Sequence, residues 1–167
     1  MTLQTLDGIL CHDGEIHRRY LRPDRNKDFE VFDRDLAEKS LNPGKELLPM
    51  TLEGCVVRLC DTIAYIGRDI EDAIRLRLIK RSDLPEDCRR ILGDTNGTIV
   101  YTLVEDLVTN SLEQPYVCFS QEIGEALKRL KAFNYRSIYK CELFWKQTPK
   151  IKLIRIVSPL LKSLCST

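Results

Sequence analysis

Asp61, Tyr65, Asp69 and Asp72 recur three or four residues apart within the stretch RLCDTIAYIGRDIED. On an α-helix such residues share one side, their tips about 6 Å apart. A carboxylate is a hard oxygen donor suited to a divalent metal. A phenol and a second carboxylate beyond it can hydrogen-bond the hydroxyls of a sugar. The row would then hold a metal at one end and an oriented substrate along the rest. One carboxylate does not complete a metal shell, so further ligands must come from elsewhere. A plainer reading is a solvated helix side, with Arg58–Asp61 and Arg68–Asp72 pairing across a turn for about 0.2–0.5 kcal/mol each. The chemical reading requires the row to face a concavity rather than bulk water.

The element that would carry this row is the most amphipathic in the chain. Thr51 is a plausible N-cap after Pro49. At about 100° per residue, Leu52, Cys55, Val56, Leu59, Ile63, Ile66, Ile70, Ala73 and Ile74 fall in one half of the wheel. Gly54, Arg58, Asp61, Tyr65, Arg68, Asp69 and Asp72 fall in the other. Upstream, apolar residues at 3, 6, 9 and 10 give Thr2 to Cys11 a helical spacing. The polar stretch from His12 to Pro49 predicts a long connection with a short helix around Val31 to Lys39. Such a loop inside a domain usually has a function or is partly mobile.

Downstream, the pattern predicts a short helix from Glu86 to Leu92, ended by Gly93. Asp94-Thr95-Asn96-Gly97 predicts a turn, and Thr98 to Leu112 a helix. Pro115 to Phe119 reads as extended or looped. Ser120 opens a helix with acids in its first turn, and the helix continues through Asn134 toward Trp145. Ile151 to Leu164 is apolar and basic, helix or strand. The fold class is all-α.

Composition narrows the function classes. The 167 residues are 43% hydrophobic and 31% charged, with a net charge of +1, which suits one globular unit with a core. Overall charge selects no partner. From Lys128 onward there are ten Lys or Arg against one acid, Glu142. That basic quarter could meet an anion or nucleic acid, but it has no aromatic interleaving to support this. The seven cysteines are scattered without a C-x-x-C pair, which points to reduced thiols and a cytoplasmic setting. The opening MTLQTLDGILCHDGE has no basic leader, and no apolar run reaches the ~20 residues of a membrane span.

The stretch MTLEGCVVRLCDTIAYIGRDIEDAI resembles the last signature helix of the HD-superfamily deoxynucleoside triphosphate triphosphohydrolases, the dGTPase group. TLQTLDGIL, and VYTLVEDLVTNSLEQPYVCFSQEIGEALKRLKAFNYRSIY further on, resemble flanking helical regions of the same family. The resemblance covers most of residues 2 to 145. It implies an HD-type helical bundle, with residues 1–80 as the C-terminal part of the core and 81–145 as the phosphohydrolase-associated region. Residues 146–167 form a basic tail without an assigned role.

By position, the resemblance makes Asp61 the final metal-ligating aspartate. It makes Tyr65 and Asp69 contacts to the deoxyribose 3′-hydroxyl, and Tyr139 a further tyrosine at the nucleoside. The implied reaction converts a dNTP and water to deoxynucleoside and triphosphate, with a divalent metal such as Mg²⁺ or Mn²⁺. The signature also needs an earlier His and a His-Asp doublet. His12 and Asp13 imitate the doublet but follow the wrong helix, so they are expected to cap or line the pocket, the alternative being a metal-ligand pair. The chain is expected to be inactive alone and to bind metal poorly. The implied partners are a dNTP and either a missing N-terminal half or further copies of the chain. The rival reading is a non-catalytic helical module that binds nucleotide or a partner subunit.

Overall fold

A computed structural model describes residues 1–12 and 19–140. Six α-helices and one two-stranded ribbon make up the regular structure of these residues, so the all-α expectation holds. The first helix, α1 (Leu3–Cys11), is capped by Thr2, whose hydroxyl accepts from the Thr5 amide. Strand β1 (Tyr20–Leu21) follows, then α2 (Phe29–Leu41), whose N-cap Asp28 accepts from the Val31 amide. The sequence predicted a shorter helix here, and the Asp28 cap explains the earlier start.

Helix α3 (Leu52–Arg75) is the central element. Thr51 caps it through the Gly54 amide, and it packs against α1, α5 and α6. Its C-terminus is closed by two reversed hydrogen bonds. The Arg77 amide donates to the Ile74 carbonyl at 2.9 Å and the Leu78 amide to the Ala73 carbonyl at 2.9 Å. Arg77 takes φ 59° to make this turn. That conformation favours glycine, because a Cβ crowds the following carbonyl.

A 3₁₀ turn at Arg81–Asp83 leads into α4 (Glu86–Leu92) and then α5 (Asn96–Ser111). The turn expected at Asp94–Gly97 instead ends in the first helical turn. Thr95 is the N-cap, exchanging bonds with Thr98, so Asn96 and Gly97 are already helical. Strand β2 (Val117–Cys118) pairs antiparallel with β1, Tyr20 opposite Cys118 and Leu21 opposite Val117. Ser120 caps α6 (Gln121–Asn134), which runs into one π-helical turn at Tyr135–Tyr139. The expected continuation to Trp145, and the segment 146–167, lie outside the described residues.

One apolar core joins α3, α4, α5, α6 and the ribbon. Leu59, Ile63, Ile66 and Ile70 of α3 meet Leu92, Ile99, Leu103, Leu127 and Leu130 from α4, α5 and α6. The close approach of α5 to α3 depends on Gly67. A Cβ there would sit 2.8 Å from the Asn96 Oδ1 and 3.0 Å from its Cα. Glu71 completes the joint, accepting from Arg81 Nη2 at 2.8 Å and from the Asn96 amide at 3.2 Å.

The helical wheel needs one correction. Gly54 and Arg58, assigned to the polar half of α3, are buried, and Val56, assigned to the apolar half, is exposed. Arg58 is 1% exposed and donates to the Leu47 carbonyl, with Glu46 Oε1 3.5 Å from Nη2. It does not serve the surface pairing with Asp61. The reason is the chain before α3, which folds across Gly54 and brings Pro49 against the helix. Arg68–Asp72 does pair, at 3.8 Å across one helical turn.

Candidate functional site

The Asp61–Tyr65–Asp69 row lies along the border between the buried and exposed faces of α3. Asp61 is exposed, while Tyr65 and Asp69 are half-buried. Tyr65 packs against the core, which fixes its ring. Tyr139 arrives from the π-helical turn and donates its hydroxyl proton to Asp69 Oδ2, across 70 positions of sequence. The turn is held over α3 from α6, where buried Asn134 donates from Nδ2 to the Ile66 carbonyl at 3.2 Å.

The electrostatics of Asp69 follow from this seat. Burial pushes its carboxyl above the ordinary aspartate range. The Tyr139 hydrogen bond pulls it down, and the neighbouring Asp72 charge pushes it up again. The net direction is upward, so this carboxylate holds its charge against partial desolvation. An acceptor in that state gains from a donor that approaches it, such as a sugar hydroxyl.

A cleft of about 720 Å³ opens between α1 and the first two turns of α3. Thr5, Gly8, Ile9 and His12 line one side, Gly54 and Val57 the other. Its lining reaches Val57, one helical turn short of Asp61. His12 ends α1 with its Nδ1 2.6 Å from the Ile9 carbonyl. Asp13, the second member of the doublet, lies outside the described residues.

Among the described residues, no group of three or more His, Cys, Asp or Glu is arranged to hold a metal ion. Asp61 supplies a single exposed carboxylate. One carboxylate does not make a metal centre, so the described residues do not by themselves fit a divalent metal without further ligands. No described helix is long and apolar enough to cross a membrane.

Sequence reasoning missed a second polar centre, beneath α1. Lys27 Nζ, almost fully buried, lies 2.9 Å from Asp7 Oδ1 and 2.9 Å from Asp35 Oδ2. The Met50 amide donates to Asp7 Oδ2 at 2.6 Å. Cys11 Sγ lies 3.7 Å from the same Nζ. Burial works against the Lys27 ammonium, but its bonds to Asp7 and Asp35 outweigh this and shift it upward. The cluster ties α1, α2 and the approach to α3 together. Its only sequence signal was Asp7 at a position where a helix turns inward.

The relatives of this chain carry a common description. It is 50% identical over 91 residues to a deoxyguanosinetriphosphate triphosphohydrolase-like protein of Caldanaerobacter subterraneus, covering 54% of this chain and 27% of that protein. It is 33% identical over 159 residues to a protein of the same description from Clostridium tetani, covering 92% and 38%. A Clostridium perfringens counterpart is 42% identical over 144 residues, covering 83% and 34%. No family model and no solved structure matches the chain. Over most of its length the chain is similar to proteins described as deoxyguanosinetriphosphate triphosphohydrolase-like, and it spans about a third of the length of the relatives it matches.

Proposed function

We propose that this chain is the sugar-recognising portion of a dNTP triphosphohydrolase, an enzyme that splits a dNTP into deoxynucleoside and triphosphate. The observation that carries this reading is the hydrogen bond from Tyr139 to Asp69. It draws a residue from the far end of the chain onto the same α3 side as Tyr65 and Asp61. In this role Asp69 accepts from the deoxyribose 3′-hydroxyl, held in place by Tyr139. Tyr65 offers its phenol one turn away, with its ring braced by the core. Asp61 stands at the end of the row where a metal-bound phosphate would lie, and contributes one ligand of a shell completed by other residues. Residues 1–80 then end the catalytic core, and 81–145 form its associated region.

No catalytic step is assigned to the described residues, since they supply one ligand and no nucleophile-activating base. The chain alone is expected to bind deoxynucleotide weakly and turn none over. Incubation with Mn²⁺ and dGTP, with triphosphate release followed by chromatography, tests this. Robust release by the chain alone would overturn the incomplete-site reading and return His12 and Asp13 to the ligand set. The absence of a metal-holding group among the described residues favours a second reading, a non-catalytic nucleotide-binding or subunit-interaction module. Calorimetric binding of dGTP that persists in a complex with no turnover would select it.

A further inference from the structure

Helix α6 does not run on as an α-helix past Asn134. The next five residues, Tyr135–Tyr139, form one π-helical turn, and the Lys140 amide donates back to the Tyr135 carbonyl at 3.0 Å. Such turns are rare, and single ones inside α-helices recur at functional sites. Here the widened turn decides where Tyr139 points.

Asn134 gives the reference direction. It is buried, and its Nδ2 donates to the Ile66 carbonyl, so its side chain faces α3. An α-helix advances about 100° per residue. Continued from Asn134, it would put Ile138 about 40° from that direction and Tyr139 about 140° from it, turned away from α3. A π turn closes on the fifth residue instead of the fourth, and so advances roughly 80° per residue. It puts Ile138 and Tyr139 roughly 40° to either side of Asn134, so that both face α3. The contacts agree with this count. Ile138 is buried in the core, and Tyr139 donates to Asp69 Oδ2. Ile138 stays near α3 in either register, whereas the Tyr139–Asp69 bond is made in one and lost in the other.

We infer that Tyr135–Tyr139 is a two-register latch on Asp69: the π register holds Tyr139 on the carboxylate, and a slip of one residue to the α register releases it. Asn134 is the positioning residue about which the turn slips, and the Tyr139 hydroxyl holds the turn in the π register. Arg136, exposed within the turn, acts as the inserted residue. Without it, an α-helix would carry Ile138 and Tyr139 about 60° and 40° to either side of Asn134 and keep the bond. The latch itself stands on the geometry of α6 and α3. Its consequence, control of a carboxylate that receives a sugar hydroxyl, rests on the proposed function.

The test reads the register of the full chain by NMR, from scalar couplings across the hydrogen bond of the Lys140 amide. The wild type is expected to couple Lys140 to the Tyr135 carbonyl. Tyr139→Phe and Asp69→Ala remove the two ends of the bond, and each should move the coupling to Arg136, the α-helical partner. Tyr135→Phe keeps the ring that lies 4.7 Å from Lys140 Nζ and should leave the coupling at Tyr135. A Lys140–Tyr135 coupling that survives both Tyr139→Phe and Asp69→Ala overturns the inference, as does a Lys140–Arg136 coupling in the wild type. Affinity for 2′-deoxyguanosine, followed by amide shifts, adds the functional arm. Tyr139→Phe should weaken it by about fivefold, the loss of one hydrogen bond. Deletion of Arg136 should leave it within about twofold of the wild type, because the bond persists in an α-helical end. A deletion variant that binds as poorly as Tyr139→Phe overturns the inference. Registers that switch as stated in a chain that shows no response to deoxyguanosine leave the latch standing and sink the sugar reading.

Discussion

A carboxylate that is costly to ionise in the fold should show itself when its charge is removed. Asp69→Asn keeps an oxygen acceptor for Tyr139 and deletes the charge. The wild-type carboxyl lies above its ordinary range, chiefly through burial, so ionisation works against folding as pH rises past about 4. At pH 7 the variant is expected to melt at or above the wild-type temperature. The difference should shrink as pH falls toward 4, where the wild-type group regains its proton. Deoxynucleotide binding should fall in the same variant. A lower melting temperature at pH 7 with a constant offset at pH 4 would contradict this account. Lys27 is the opposite case, a buried charge that is paired. Lys27→Met leaves Asp7 and Asp35 without their cation and should lower stability by about 3–5 kcal/mol, read from the urea midpoint.

Helix ends give a sharper test at the scale of the element. Arg77 closes α3 in a left-handed conformation, with the Leu78 amide reaching back to Ala73. Arg77→Gly removes a penalty of about 1–2 kcal/mol and adds some unfolded-state freedom. A net gain of about 0.5–1 kcal/mol in thermal unfolding is expected. The elements themselves were largely legible in the sequence. Thr51 and Ser120 sit at N-caps, and Gly93 ends α4, because local hydrogen bonding decides those positions. Tertiary contacts decided the rest. Arg58 is polar by type and was placed facing water, yet the chain from Glu46 to Pro49 supplies carbonyl and carboxylate partners that bury it. No periodicity within α3 carries that information. The Tyr139–Asp69 bond was likewise illegible from spacing, and only the family resemblance put both residues at one sugar.

For the molecule as a whole, the buried thiols set an alkaline limit. Burial pushes Cys11 up to about 12 and Cys55 and Cys88 up to about 11, with the charges of Asp7 and Asp87 adding to the rise. Unfolded thiols ionise near pH 8.5. Above that pH the unfolded chain holds fewer protons than the folded one, so stability falls as pH rises. Each thiol contributes up to about 1.4 kcal/mol per pH unit until its folded value is reached. Urea midpoints at pH 8, 9 and 10 should decline with that slope, and Cys88→Ala should make the decline shallower. A flat profile would show that these thiols titrate freely in the fold.

The two-residue ribbon joins Tyr20 to Cys118, and α3 lies between those strands in the chain while touching α5 and α6 in space. A protease cut at the Arg77 corner would therefore yield two pieces that stay clasped. Size-exclusion chromatography should show one intact-sized particle after nicking, and denaturing electrophoresis should show two bands. A gene split at that corner would be tolerated for the same reason.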